Sequence, residues 1–279
     1  MAEAWCHQRE VAGYAFDLFG DDPDLERFAG SLYAAACCPP RLAPAPDATF
    51  QLSRSHGLLT LTSAGLTLCR ATDQVDFFRQ AEWALTRAVM DSLDSCLQFH
   101  AAAVAFADGR CWLIVGPPDA GKTSLALAFA ESGAAILTDE IALVTAPGLD
   151  VRPFRRDLAI HAGTAARFAE LLAPVREPGW KTFDDFRFVS PTALAGWLPK
   201  RAASDLLIFP RREQGKVTVA EPVGQAAAAE KLVGQAFNLK SWGAKGIDLT
   251  AQLVERCPAY AVCFDDPRDA AATVSMLRP

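Results

Sequence analysis

An eight-residue loop pattern is the feature that most restricts how this chain can fold. Residues 116–123 are Gly-Pro-Pro-Asp-Ala-Gly-Lys-Thr and match the pattern G-x-x-x-x-G-K-[ST] at every specified position. In such a loop the backbone N–H groups cradle phosphate oxygens, the lysine contacts the outer phosphates and the threonine hydroxyl ligates Mg²⁺. This chemistry requires a strand before the loop and a helix N-terminus after it.

The sequence on both sides of the loop predicts these elements. Residues 111–115 form a short apolar run typical of a buried strand, and residues 125–129 open an apolar helix that ends near Gly133, a C′ cap. Before them, Asp108-Gly109 is a turn signal between two apolar runs, 99–106 and 111–115. We therefore expect an antiparallel neighbour for the strand that precedes the loop, and a sheet that differs from the doubly wound type.

Two acidic residues interrupt the apolar sequence after the loop helix. Asp139 and Glu140 lie between the apolar runs 134–138 and 141–144. Carboxylates in such surroundings cost desolvation energy unless a cation or a hydrogen-bond donor lies nearby. They could instead be solvated in a plain turn between two strands. With a phosphate loop just upstream, we favour a metal-binding or catalytic role.

Composition limits the class of protein. The chain has 279 residues, of which 51% are hydrophobic and 22% charged, as expected for one large globular domain or two smaller ones. Its net charge of −6 argues against nucleic acid or an anionic membrane as the main partner. No apolar run approaches the roughly 20 residues of a membrane span, and the N-terminal residues lack the pattern of a secretion signal. We therefore expect a cytoplasmic location.

The eight cysteines fit that compartment, because none forms a C-x-x-C pair and no disulfide framework is expected. Four of the cysteines have apolar neighbours and are predicted to be small buried hydrophobic residues rather than catalytic thiols: Cys69, Cys96, Cys111 and Cys263.

The chain divides near residue 95. Upstream, a Pro- and Ala-rich stretch at 38–46 precedes three short strands at 50–53, 58–62 and 66–69. A helix capped by Asp73 or Thr72 follows, with an apolar stripe of Val75, Phe78, Leu85 and Val89. We interpret residues 1–95 as an accessory α+β domain for substrate recognition or subunit packing, and residues 96–279 as the catalytic domain. In the latter we expect further strands at 205–209, 217–219 and 259–264, and helices at 223–237, 247–256 and 267–277.

With these motifs in view, residues 97–145 resemble the catalytic domain of HPr kinase/phosphorylase. They more closely resemble HPr-kinase-related kinases, including those that phosphorylate lasso-peptide precursors. The shared features are Phe99-His100-Ala101, the hairpin, the phosphate loop and the acidic motif at 137–140. The resemblance implies an α/β P-loop kinase domain with the mixed β-sheet of the HPr kinase and phosphoenolpyruvate carboxykinase type. Residues 1–95 do not resemble the N-terminal domain of HPr kinase, and their own pattern predicts the small α+β N-terminal domain.

The resemblance also implies roles for the loop. Lys122 would hold the outer phosphates of ATP and act in catalysis, and Thr123 would ligate Mg²⁺. The residues expected to bind the nucleotide are Gly116, Pro117, Pro118, Asp119, Ala120, Gly121, Lys122, Thr123 and Ser124.

The acidic pair and His100 complete the expected site. Asp139 aligns with the family's first acidic position and is our candidate general base, and Glu140 is the candidate Mg²⁺ partner, although the two roles could be exchanged. His100 would tune or orient the base; alternatively it is a hydrogen-bonded core histidine. Three arginines are candidates to bind phosphates or an acidic substrate: Arg155, Arg156 and Arg211. For each of them the alternative is a solvated surface charge. The other histidines form no pattern with candidate functional residues, and we interpret them as structural or surface residues: His7, His56 and His161.

The chain departs from HPr kinase in two places. Its acidic pair is Asp-Glu rather than Asp-Asp, and it has no Ile-Arg-Gly-Leu-Gly segment. The expected activity is therefore transfer of the γ-phosphoryl group of ATP to a serine-type hydroxyl other than that of HPr, with peptide modification favoured. A nucleotide-dependent switch and a small-molecule kinase are the alternatives. The expected partners are a peptide or small protein and a nucleotide, without nucleic acid or membrane, and a homo-oligomer is possible.

Overall fold

The structure is a computed structural model that describes residues 4–37, 45–173 and 186–277. Within those ranges the chain is a mixed α/β protein. Its strands are β1 (Trp5–Val11), β2 (Tyr14–Gly20), β3 (Ala48–Ser55), β4 (Leu58–Ser63), β5 (Leu66–Ala71), β6 (Cys96–Ala105), β7 (Arg110–Val115), β8 (Ala135–Thr138), β9 (Ile141–Thr145), β10 (Asp150–Arg152), β11 (Leu158–His161), β12 (Phe186–Val189), β13 (Ala202–Arg212), β14 (Val219–Pro222) and β15 (Ala259–Phe264). Its α-helices are α1 (Pro23–Ser31), α2 (Gln74–Ser92), α3 (Lys122–Glu131), α4 (Ala162–Arg167), α5 (Ala169–Leu172), α6 (Pro191–Ala195), α7 (Gln225–Val233), α8 (Leu239–Trp242), α9 (Ala244–Arg256) and α10 (Pro267–Met276).

The chain forms two compact units. The first comprises the described residues of Met1–Asp94, Arg155–Gly163 and Val175–Ser190, and the second comprises the remainder. The sequence predicted contiguous segments of 1–95 and 96–279, so the first unit also includes two later segments of the chain. Most of the Pro- and Ala-rich stretch, residues 38–44, lies outside the described residues.

The first unit contains a five-stranded sheet in the order β1-β2-β3-β4-β5. The predicted meander is confirmed as β3, β4 and β5, which pair antiparallel in sequence. The hairpin of β1 and β2, which pairs antiparallel ahead of it, was not predicted. Its signal was present in the alternation of Phe16 and Leu18, both fully buried, with more exposed neighbours.

Helix α2 follows the predicted pattern. Asp73 caps it, since its Oδ1 accepts hydrogen bonds from the backbone N–H groups of Val75 and Asp76, each at 2.9 Å. Phe78, Leu85 and Val89 are buried, whereas Val75 at the helix start is half-buried.

Polar contacts attach the segment Arg155–Gly163 to the rest of the first unit. The guanidinium of Arg156 donates to the carboxylate of Glu82 on α2, and both side chains are largely buried. The adjacent Asp157 is 6% exposed and accepts hydrogen bonds from the backbone N–H groups of Ala34 and Ala35. Such contacts between residues far apart in sequence explain why this segment belongs to the first unit.

Asp157 makes the stability of the chain depend on pH. Burial raises the pKa of its carboxyl to about 6, against the pull of the Ala35 and Ala34 hydrogen bonds and of the Arg9 and Arg156 charges. Because this folded pKa exceeds the unfolded value, the folded state binds the extra proton, and the contribution to stability falls as pH rises from about 4 to 6. Asp157→Asn removes this dependence. The change in the free energy of unfolding caused by the substitution should therefore be more favourable at pH 7.5 than at pH 4, by on the order of 3 kcal/mol.

Urea denaturation of the wild type and Asp157→Asn at several pH values checks this expectation. Asp150→Asn is a matched control, because that carboxylate pairs with the exposed Arg201 at 3.4 Å. A difference between wild type and Asp157→Asn that stays constant from pH 4 to 7.5 contradicts the raised pKa.

The second unit is built on an eight-stranded mixed sheet. Its main order is β10-β9-β6-β7-β13-β15-β14, and β8 pairs with β6 beside β9. Strands β7, β13 and β15 run parallel, while β6 and β7 pair antiparallel. Strand β10 also pairs with the start of β13, so that β10, β9, β6, β7 and β13 form a closed ring of pairings.

The hairpin before the phosphate loop is confirmed, but its turn differs from the prediction. The Gly109 N–H donates to the Phe106 carbonyl oxygen at 2.9 Å, so Ala107 and Asp108 are the central turn residues. Gly109 follows them with a φ of +88°. Asp-Gly therefore occupies the last two positions of a longer loop, a common hairpin arrangement in which glycine adopts the left-handed conformation.

Other elements agree with the sequence in type and differ at their ends. Helix α3 ends at the predicted C′ glycine, because the N–H groups of Gly133 and Ala134 donate to the Ala130 and Phe129 carbonyl oxygens. The strand predicted at 217–219 is wrong in position, since β14 covers Val219–Pro222, and the helix predicted at 223–237 is shorter, at Gln225–Val233. The described cysteines are free, and of those expected to be buried only Cys263 is partly exposed.

No helix in the described ranges combines the length and the apolar character needed to cross a membrane.

Candidate nucleotide site

The phosphate-loop residues connect the carboxyl end of β7 to the first residue of α3. Strand β7 is buried from Cys111 to Val115, and α3 begins at Lys122. Asp119 has a φ of +62° and Gly121 a φ of +97°. Two left-handed residues within three positions turn the chain sharply, which directs the loop around the N-terminus of α3.

Gly121 is required for two reasons. Its φ is one that L side chains rarely adopt, and a Cβ atom built there would lie 2.9 Å from Cζ of Phe264. We expect Gly121→Ala to lower the free energy of unfolding by about 2 to 4 kcal/mol, since the left-handed penalty adds to the overpacking. Denaturant titration measures this change.

Gly133→Ala is the matched control, because Gly133 also has a positive φ of +89° but no atom lies within 4 Å of its Cβ position. We expect it to cost about 1 to 2 kcal/mol. Equal costs for the two variants would contradict a steric role for Phe264.

The ammonium group of Lys122 lies inside the loop. Its Nζ donates to the carbonyl oxygens of Gly116 and Pro117, each at 2.9 Å, and the residue is 7% exposed. Burial lowers the pKa of Lys122, while the charges of Glu140, Asp139 and Asp119 raise it. The loop thus holds a cation beside the backbone N–H groups at the start of α3.

The two acidic residues lie beside β6 rather than in a turn between paired strands. Strand β8 pairs with β6 as far as Thr138 opposite Ala103, and β9 resumes at Ile141 opposite His100. Both strands are antiparallel to β6, so Asp139 and Glu140 form an interruption in one line of pairing. The Thr138 hydroxyl accepts hydrogen bonds from the Glu140 and Ile141 N–H groups at 3.3 and 3.1 Å, which fixes this interruption.

This interruption places Asp139 against the start of α3. The Thr123 hydroxyl donates to Oδ2 of Asp139 at 3.4 Å. Asp139 is 9% exposed, and Glu140 is half-buried. The alternative of two solvated carboxylates in a turn therefore does not describe Asp139.

His100 lies where three segments of the site meet. Its carbonyl oxygen accepts from Gly116 N–H at 3.5 Å, and the neighbouring Ala101 N–H donates to the Glu140 carbonyl oxygen at 3.1 Å. Its ring Nδ1 is 3.1 Å from Oε1 of Gln235. Burial and the Lys122 charge lower the pKa of His100, against the Gln235 hydrogen bond and the Glu140 charge. The imidazole is thus hydrogen-bonded to Gln235 and lies within the electrostatic influence of Lys122 and Glu140.

An open cleft of ≈ 1210 Å³ adjoins the loop. Residues 116–120 form one wall, and the other walls come from the carboxyl ends of β13 and β15, from β14 and from α7. Because β7, β13 and β15 are parallel, their carboxyl ends meet at the same edge of the sheet, and the loop that follows β7 lies at that edge. The cleft is large enough for a nucleotide.

Sequence reasoning missed most of the cleft. Lys231 on α7 lies with Nζ 5.6 Å from the centre of the Phe209 ring, and both residues line the cleft. The available signal was Phe209-Pro210-Arg211, which ends a predicted strand, but its pairing beside β7 was not predicted.

For four residues considered for the site, the structure gives contacts or a location that the sequence did not predict. The Ser124 hydroxyl is 3.3 Å from that of Thr164, so this side chain contacts α4. Arg156 pairs with Glu82, and Arg155 belongs to the same first unit. Arg211 lines the cleft but pairs with Glu213 at 2.7 Å.

The donor atoms near Thr123 suit Mg²⁺. In the described part of the chain, no group of three or more His, Cys, Asp or Glu residues is arranged to hold a metal ion. Mg²⁺ in phosphate sites usually takes one or two protein oxygens and completes its octahedron with phosphates and waters. The Thr123 hydroxyl and the Asp139 carboxylate, which are in contact, would supply such oxygens, and Glu140 is the next residue in the chain.

Comparison with known proteins gives no match to a family model and no match to a curated protein.

Proposed function

We propose that this protein is a Mg²⁺- and ATP-dependent kinase that transfers the γ-phosphoryl group to a serine-type hydroxyl, on a peptide or small protein. The observation that supports it best is the contact of Thr123 with Asp139 beside the buried ammonium of Lys122. A phosphate loop, a cation and a buried carboxylate are the parts that phosphoryl transfer requires, since catalysis there depends on positioning and charge neutralisation.

In this proposal each group of site residues has a separate role. Backbone N–H groups of residues 116–123 and the Lys122 ammonium bind phosphate oxygens. Thr123 and Glu140 hold Mg²⁺, which when bound neutralises charge on the transferred group. Asp139 orients the acceptor hydroxyl and accepts its proton, and the cleft beside the loop receives the rest of the nucleotide.

The fold of the second unit supports the same proposal. A hairpin precedes the loop, and the acidic pair returns to the hairpin's first strand. This is the arrangement that the resemblance to HPr-kinase-related kinases implies for a mixed-sheet P-loop kinase domain. The first unit is then the candidate acceptor-recognition domain.

Intact-mass spectrometry after incubation with Mg²⁺ and ATP tests the proposal. The acceptors are Ser- and Thr-containing peptides, some with a C-terminal Ser, together with HPr and free serine. A phosphoryl mass gain on a peptide, absent without Mg²⁺, supports the peptide kinase. ADP formation without any modified acceptor contradicts it and favours a nucleotide-dependent switch, and phosphorylation of free serine alone favours a small-molecule kinase.

A further inference from the structure

Gln235 holds His100 at two points. The His100 N–H donates to the Gln235 carbonyl oxygen at 2.7 Å, and the ring Nδ1 lies 3.1 Å from the side-chain Oε1. The segment around Gln235 is itself attached to β6, since the Phe237 N–H donates to the Gln98 carbonyl oxygen at 2.8 Å. Asn238 adds two side-chain bonds to the β6 backbone, at Gln98 and Cys96. Gln235 is therefore held in place by the backbone and does not depend on its side chain for position.

The chemistry of an amide oxygen determines the state of the ring. With Oε1 of Gln235 facing the ring, the bond forms only when Nδ1 of His100 carries the proton, because a carbonyl oxygen accepts hydrogen bonds and does not donate them. In a neutral imidazole the other nitrogen, Nε2, is then unprotonated. Free histidine favours the opposite tautomer, so the Gln235 bond selects between the two forms.

The surroundings of the ring favour its neutral form. His100 is half-buried, and Lys122 at the start of α3 places a positive charge nearby. Glu140, between β8 and β9, is the facing acidic group. Both burial and Lys122 oppose a second positive charge, and together they outweigh Glu140 and the Gln235 bond.

We propose that Gln235 is a positioning residue that holds His100 as the Nδ1–H tautomer and so keeps Nε2 unprotonated and able to accept a hydrogen bond or a proton. Gln235 also lines the cleft, so it connects the walls of that cleft to the histidine. The catalytic consequence rests on the proposed function: a ring with free Nε2 can orient an acceptor hydroxyl, whereas the Nε2–H form donates instead. The tautomer itself does not depend on any activity.

Nuclear magnetic resonance of the ¹⁵N-labelled protein tests the tautomer. The chain has four histidines, so two-bond ¹H–¹⁵N spectra at pH 8 resolve each ring, and His100→Asn assigns the signal. The exposed His56 is the internal reference for a solvated ring. We expect a protonated Nδ1 and an unprotonated Nε2 for His100 in the wild type. Detection of the Nε2–H form there overturns the proposal.

Two substitutions separate hydrogen bonding from packing. Gln235→Leu removes the acceptor and should move His100 toward the Nε2–H form, whereas Gln235→Glu keeps an oxygen acceptor and should retain the Nδ1–H form. Gln225→Leu on the exposed start of α7 is the matched control. An unchanged His100 spectrum in Gln235→Leu overturns the proposal.

Kinetics then test the catalytic consequence. With the peptide acceptor, we expect Gln235→Leu to lower kcat roughly 10- to 100-fold with a smaller change in KM for ATP. Gln235→Glu should recover most of the loss in kcat at saturating ATP, although its carboxylate in the cleft wall raises KM for ATP. A changed tautomer with wild-type kcat overturns the catalytic part. If the wild type transfers no phosphoryl group at all, the proposed function fails, and the spectra still decide the role of Gln235.

Discussion

Lys122→Ala is expected to reduce phosphoryl transfer by roughly 10²- to 10³-fold and to weaken ATP binding. The residue is 7% exposed, and its Nζ donates to the Gly116 carbonyl oxygen inside the loop at 2.9 Å. Removing one preorganised donor from the site where charge develops has effects of this size. Product formation by mass spectrometry and nucleotide affinity by calorimetry measure the two changes.

The fold should survive this substitution, because the carbonyl oxygens of Gly116 and Pro117 that accept from Nζ lie next to the open cleft and can be solvated. Lys245→Ala, on the exposed first turn of α9, is the matched control and should leave transfer unchanged. Wild-type transfer by a folded Lys122→Ala protein would exclude the loop as the phosphate site.

The sequence predicts the phosphate loop well because its constraints are local. The pattern at 116–123 prescribes a strand, a turn with a left-handed glycine and a helix N-terminus, and the structure has β7, Gly121 with φ +97° and α3 in that order. The C′ glycine at 133 and the N-cap at Asp73 are equally local, since each acts on backbone groups within a few residues.

What the sequence could not supply are pairings between distant residues. Gln235 reaches His100 across 135 positions, and Arg156 reaches Glu82 across 74. Neither contact leaves a periodic or spacing signal, because each partner alone is an ordinary polar residue in a mixed segment. The same holds for the cleft, whose walls depend on β13 and β15 lying parallel beside β7.

The acidic pair lies between these two cases. The apolar runs on both sides of Asp139 and Glu140 indicated carboxylates with a functional role, but they were also compatible with solvated carboxylates in a turn between two strands. The structure distinguishes them through register: β8 and β9 pair with the same strand, β6, so the chain continues in one direction past Asp139. Register depends on hydrogen bonds to β6, and a single sequence does not specify them.

Asp139→Asn is expected to lower kcat by roughly 10²- to 10⁴-fold while changing the affinity for Mg²⁺ and ATP far less. The amide keeps the size of the side chain and a hydrogen-bond acceptor for the Thr123 hydroxyl, now 3.4 Å from Oδ2, but it cannot accept a proton from the substrate. Glu140→Gln is the comparison within the same site. If Glu140 is the metal partner, that variant should raise the Mg²⁺ concentration needed for half-maximal activity and lower kcat less at saturating Mg²⁺. The opposite pattern, with Asp139→Asn abolishing Mg²⁺-dependent nucleotide binding and Glu140→Gln removing turnover, would exchange the two roles.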